Sequence, residues 1–222
     1  MPDTDHRQAP LDGKLSDDDY ESLLPSSEPK NVIGYEIKDF ITDEDHLWTG
    51  APNPETEANW HHLLQGFDVR ISKDDFKNLG RLENAVEVND ETGGYAALIN
   101  VYHELHCLKL VRWSLYPDYF YPNSSAEQTH ERERHRDHCI NYIRQSAMCH
   151  ADVGLSTWHW RADDKMPHAD MMPHTCRNWN AVDEWAKDRR INMYQAGLLV
   201  HPKFGPAFAK EGLGANKDDG AS

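Results

Sequence analysis

Apolar positions along the chain switch between two periods. Residues 31–52 read as extended, and within them Ile33, Tyr35 and Ile37 alternate with polar neighbours, the two-residue period of a half-buried strand. Helical spacing takes over after Trp48-Thr49-Gly50-Ala51-Pro52. Asn53 suits an N-cap and Pro54 the first helical position. Trp60, Leu63 and Leu64 supply the apolar face, Gly66 ends the helix, and His61 and His62 are expected on its exposed side. Ser72-x-x-Asp75 resembles a capping box ahead of Phe76 and Leu79, with Gly80 closing a short helix. A strand fragment is expected at Val86–Val88, and a turn at Gly93-Gly94.

Two long helices follow. The first is predicted from about Tyr95 to Tyr116, stopped by Pro117. At about 100° per residue, Ile99, His103, His106, Leu110 and Trp113 share one face. Leu98, Val101, Leu105, Leu108 and Val111 cover much of the rest, so the helix is expected to be largely buried with its histidines turned inward. An aromatic connector, Tyr116 to Pro122, leads to a second helix from about Ala126 to Cys149. Its first half is charged and expected to face water, while His135, His138, Cys139, Tyr142 and Cys149 fall on one side. Residues 153–177 predict irregular or hairpin structure rich in Trp and Met, with His159 and His168 structural or exposed. A last helix, from about Trp179 to Ile191, turns Trp179, Val182, Trp185 and Ala186 inward. The fold class is therefore mainly α: a compact helical domain with two packed motif helices, short β elements, irregular loops and disordered termini. The domain is expected over residues 31–195, between a disordered tail at 1–30 and a flexible tail at 196–222.

Composition narrows the function classes. The 222 residues include seven Trp and nine Tyr, too many large aromatics for wholesale disorder. The formal net charge is -15, which argues against nucleic acid as a partner, since phosphates need Lys and Arg to neutralise them. The same charge disfavours anionic membrane surfaces. Apolar runs fall short of the roughly 18 residues a spanning helix needs, and no apolar segment of a secretory signal is visible.

Fourteen His stand against four Cys. The two long-helix segments carry the same His-x-x-His-Cys pattern, as His103-Glu104-Leu105-His106-Cys107 and His135-Arg136-Asp137-His138-Cys139. Residues three apart on a helix are neighbours, so each copy can turn two imidazoles toward one point. A neutral imidazole nitrogen is a good metal donor. One such pair is a weak signal, and the duplication is a far stronger one. It predicts a metal site built from His103, His106, His135 and His138. His150, Asp152 and His174 are further candidates without an assigned role. Among the cysteines, Cys139 and Cys149 lie ten residues apart in one helix, roughly 15 Å by the rise per residue, too far to bridge. Bridging would pair Cys107 or Cys176 with that helix. Asn123-Ser124-Ser125 fits a glycosylation acceptor, a short pattern that arises often by chance.

The pattern Tyr102-His-Glu-Leu-His-Cys-Leu108, then His135 to Cys139, then Gln145-Ser-Ala-Met-Cys149-His-Ala-Asp152 and His174-Thr-Cys-Arg177 resembles the UstYa-like family of fungal proteins. Trp48 to Pro52 and Trp60 look like its upstream segment, and the resemblance covers roughly residues 45–190. It implies an oxidase of fungal secondary-metabolite biosynthesis, including ribosomally made cyclic peptides and mycotoxins. Members cyclise, desaturate, hydroxylate or halogenate a peptide or small natural product at C–H bonds. It further implies copper, one ion or two, held by His103, His106, His135 and His138 as metal ligands and catalytic residues, with dioxygen as co-substrate. Homo- or hetero-oligomers with a related member are within its repertoire. The N-terminal anchor usual in members is not visible. A trimmed anchor would place the domain in the secretory-pathway lumen, and otherwise a soluble cytoplasmic protein is expected.

Spacing alone does not choose the metal, because imidazole donors suit copper, zinc, iron or nickel about equally. Cys107 and Cys139 could ligate as thiolates or staple the helices as disulfides. Beside an oxidising copper the disulfide is favoured, since thiols there would be oxidised. Two other classes compete: a metal-independent cyclase, dehydratase or isomerase using histidine as acid and base, and a non-catalytic partner of a biosynthetic enzyme stabilised by a structural ion.

Overall fold

The computed structural model describes residues 34–40, 47–78, 82–170 and 172–208. The expected tail at 1–30, Ile33, Leu79, Gly80 and residues 209–222 lie outside them. Helix predominates over strand. The elements in order are β1 Tyr35–Lys38, α1 Pro54–Leu63, β2 Asp68–Ile71, α2 Lys73–Asn78, β3 Tyr95–Leu98, α3 Asn100–Ser114, α4 Pro117–Phe120, α5 Ala126–His150, β4 Thr157–Trp160, β5 Pro167–Asp170, β6 His174–Arg177, α6 Trp179–Asp188, β7 Val200–His201 and β8 Gly205–Pro206. Among the described residues every sheet is a two-stranded antiparallel ribbon: β1 with β6, β2 with β3, β4 with β5 and β7 with β8.

Local chemistry accounts for the helix starts. Asn53 Oδ1 accepts from the backbone N–H of Glu55 and Thr56, both at 3.0 Å, a cap worth about 1 kcal/mol. Pro54 has no N–H to leave unsatisfied. Ser125 opens α5 with a reciprocal capping box: its Oγ accepts from Gln128 N–H while the Gln128 side chain accepts from Ser125 N–H. At 25 residues, α5 is about 37 Å long. It ends at Ala151 in left-handed backbone, φ 38°.

The β2–β3 ribbon, with the chain after α6 bonded to its other edge, forms the floor of the main core. Arg70 N–H donates to Arg189 O at 2.8 Å and Ile191 N–H to Asp68 O at 3.0 Å. Val69 and Ile71 point from β2 into a cluster with Tyr102 of α3 and Ala186 of α6. Tyr102 is fully buried, and its hydroxyl donates to Asp183 at 2.6 Å, so the largest side chain of that core leaves no polar orphan. A second cluster joins Val88 and Ile191 to Leu198 and Leu199.

Four expectations are corrected. Residues 95–98 form a strand, not the first turn of the motif helix, because Gly93 and Gly94 adopt positive φ and fold Tyr95–Leu98 back onto β2. Tyr35 and Ile37 are 66% and 69% exposed, so β1 is not half-buried; it pairs with β6 and presents both side chains to solvent. The motif helix α3 is not covered all round, since Leu108 is 45% exposed. Residues 196–208, within the segment expected to be a tail, include the buried Leu198 and Leu199 and the β7–β8 ribbon.

Candidate metal centre

Helices α3 and α5 meet through a third cluster in which Cys107, Leu110, Trp113 and Cys139 are buried. That contact decides where the histidines go. His103 lies one turn before Cys107, and His135 one turn before Cys139, on adjoining helix surfaces. The ring centroids of His103 and His138 are 6.1 Å apart and those of His135 and His138 6.0 Å. Tyr142 packs its ring on His103 at 4.2 Å and lies 6.2 Å from His138. His106 sits against Phe67 at 5.2 Å, and Phe67 and His103 also meet edge to face at 6.5 Å. His103, His106 and His135 are half-buried and His138 is exposed, so the pairs line a rim open to solvent rather than turning into the core.

Burial lowers the pKa of His103, and the neighbouring charges of His138 and His135 lower it further, against a smaller opposing pull from Glu104. His103 is therefore a neutral imidazole at neutral pH, the form that donates to metals and accepts protons. The thiols of Cys107 and Cys139 are hydrogen-bonded to one another. Burial raises both, Cys139 to about 12, so neither is a thiolate at neutral pH.

The donors suit a nitrogen-ligated metal in kind, and two ring pairs, His103 with His138 and His135 with His138, also suit it in spacing. Two imidazoles on one ion, each at about 2.0–2.1 Å, have ring centres about 5–6 Å apart, close to the separations found here. The rings are gathered but not convergent: among the described residues no group of three or more His, Cys, Asp or Glu side chains is placed to hold an ion.

The other candidates lie elsewhere. Asp152 Oδ2 is 2.5 Å from His174 Nδ1, and that bond, first among the causes, lowers the Asp152 pKa. His174 stacks on Phe40 at 3.8 Å. His150 Nδ1 meets Ser146 Oγ at 3.1 Å. His150 is twelve residues beyond His138 on α5, about 18 Å along the helix. His61 and His62 are exposed, while His159 pairs with Asp170 and His168 with Asp164. Tyr142 and Phe67 enter the site without having been singled out for it. Tyr142 carried a signal, the one-turn spacing from His138. Phe67 carried none, because its place depends on the turn into β2.

A long histidine-bearing helix pair flanked by small antiparallel ribbons defines a class of helical protein with a surface-open imidazole cluster. The model of the family described as mycotoxin biosynthesis protein UstYa matches residues 6–189. The chain belongs to that family. It is 30% identical over 167 residues to the UstYa family oxidase phomYd of Diaporthe leptostromiformis, covering 74% of this chain and 51% of that protein. It is 27% identical over 166 residues to the UstYa family oxidase aprY of Aspergillus flavus, covering 69% and 50%. Transacylase cctO of Talaromyces islandicus is 27% identical over 189 residues, covering 79% and 63%. The chain thus spans about half to under two thirds of the length of these relatives. No solved structure matches. Among the described residues no helix is long and apolar enough to cross a membrane.

Proposed function

We propose that this chain is a copper-dependent oxidase of fungal secondary-metabolite biosynthesis. It would act by oxidative C–H functionalisation of a peptide or small natural product. The observation that carries the reading is that the His138 ring lies about 6 Å from His135 on its own helix and from His103 on the neighbouring one. With His106 they form the donor set for one or two copper ions. Copper held there would supply one-electron chemistry with dioxygen as the oxidant.

The chain's own residues set the conditions. Burial keeps His103 neutral and ready to donate. The neighbouring rings of Tyr142 and Phe67 restrict how His103 can turn, and Phe67 packs against His106. The solvent-open rim by His138 gives a substrate its approach. Cys107 and Cys139 fix the distance between the two helices, and in an oxidising compartment we propose that they do so as a disulfide.

A second reading follows from the same neutral imidazole. His103 can accept a proton without metal, and a relative named as a transacylase supports chemistry outside oxidation. Elemental analysis of purified protein loaded with copper separates the two. Copper at one or two equivalents per chain, falling to a background level in the His103→Ala/His138→Ala variant, is expected. Equal copper in both proteins would overturn the proposed site, and turnover surviving exhaustive chelation would favour the acid–base reading.

A further inference from the structure

Helix α3 has a second working side. At 100° per residue, Leu105, Leu108 and Arg112 project opposite to His103. They line a groove of about 470 Å³, closed by Trp48 and Trp60 and continued by Leu115, a volume in the range of small-molecule sites. The Trp60 N–H donates to Trp48 O at 3.1 Å and the two rings meet edge to face at 5.6 Å, so that wall is held in place.

Among the described residues lining this apolar groove, Arg112 alone is charged. It is 8% exposed. Its Nη1 donates to Glu57 Oε1 at 2.6 Å, and the other Glu57 oxygen accepts from Trp113 N–H at 3.0 Å. Nε and Nη2 are buried and have no hydrogen-bond partner among the described residues. Those two nitrogens form the side-on edge of the guanidinium, whose two parallel N–H groups match the two oxygens of a carboxylate. A buried donor pair without a partner is costly, and a ligand oxygen reaching it from the groove, through a small shift of the Arg112 side chain, would remove that cost.

We propose that this groove binds a small apolar carboxylic acid, its hydrocarbon part against Trp48, Trp60 and Leu108 and its carboxylate on the Nε/Nη2 edge of Arg112. The site is separate from the histidine cluster and stands or falls without it. Occupancy would be felt along α3, which carries both.

Calorimetric titration of the full chain with octanoate tests this, with octanol as the uncharged control. One octanoate per chain at millimolar or tighter Kd is expected, with octanol about tenfold weaker or worse. Arg112→Lys keeps the charge and loses the fork, so it should narrow the preference for octanoate without abolishing it. Because Arg112 is buried and could be needed for folding, Leu108→Glu serves as the second variant. Its position is 45% exposed, so melting stays near wild type while octanoate binding weakens about tenfold or more through repulsion and lost apolar contact. Equal binding of octanol and octanoate, absence of saturable binding, or unchanged binding by folded Leu108→Glu would each overturn the proposal. So would a shift of the chain's sedimentation toward monomer in Leu108→Glu, which would make the groove an interface between copies.

Discussion

Single side chains decide how closely α6 and α3 approach β2. A Cβ placed on Gly66 would lie 2.7 Å from the Tyr102 hydroxyl oxygen and 2.8 Å from the Ala186 Cβ, inside any permitted contact. The backbone there is ordinary, so the constraint is space rather than torsion. Gly66→Ala should cost about 1–3 kcal/mol, as overpacking in a filled core does, and lower the melting temperature by several degrees. Urea denaturation beside wild type checks it, and equal midpoints would show that the core yields. Sequence reading placed Gly66 at a helix end, and the chain does pass through a single 3-10 turn there. What it could not reveal was the reason for glycine, since Tyr102 and Ala186 are 36 and 120 positions away. The same limit hid Phe67. By contrast, Asn53 and Asn178 act on N–H groups two or three residues on, and Pro54 through its own missing N–H, which is why Asn53 and Pro54 were legible at once.

Elements were legible in proportion to their length and the locality of their signals. Helix α5 matched its expected range to within a residue because 25 residues of pattern outweigh any local ambiguity, although its Ser125-x-x-Gln128 capping box had not been singled out. Short ribbons were not legible. Tyr95–Leu98 reads as helix by composition and becomes strand because β2 offers it partners. The pairing of α3 with α5 also carries a prediction. Two buried thiols already hydrogen-bonded across that contact should form a disulfide when glutathione disulfide takes up the two electrons and the thiol protons leave. Mass should fall by two hydrogens. Closing the loop from 107 to 139 should stabilise the chain by about 3–4 kcal/mol on the chain-entropy account. Denaturation with and without reductant measures the gain, and it should vanish in Cys107→Ser/Cys139→Ser. An oxidised protein of unchanged stability, or one whose bridge maps to Cys149 or Cys176, would refute the pairing.

At the level of the whole molecule, pH acts through a general and a particular term. With a net charge of -15, mild acidification relieves self-repulsion. Against that runs the pair that ties β2 to the turn before β3: Arg70 donates to both oxygens of Asp90, at 2.8 and 2.6 Å, and also to Gly93 O. The Arg70 hydrogen bond holds Asp90 down at about 2, below its ordinary 3.8. A carboxylate with a depressed folded-state pKa contributes fully above the unfolded value and loses its contribution as pH falls toward the folded one. Melting temperature should therefore drop between about pH 4 and pH 2, and Asp90→Asn should flatten that part of the profile. Parallel profiles for the two proteins would remove the pair from the account. The charge class and the mainly helical fold were both legible in composition and periodicity. The core's closure by Leu198 and Leu199 was not, because two leucines in a Gly-rich, Lys-rich segment give no period to read.

The β4–β5 ribbon leaves Trp158 and Trp160 at 71% and 74% exposure, while Trp60 and Trp113 are at 5% and 2%. The chain's intrinsic emission is thus a sum of wet and dry indoles. Acrylamide would silence the ribbon's share first, leaving a residual signal weighted toward the sheltered rings, among them the wall of the groove beside α3.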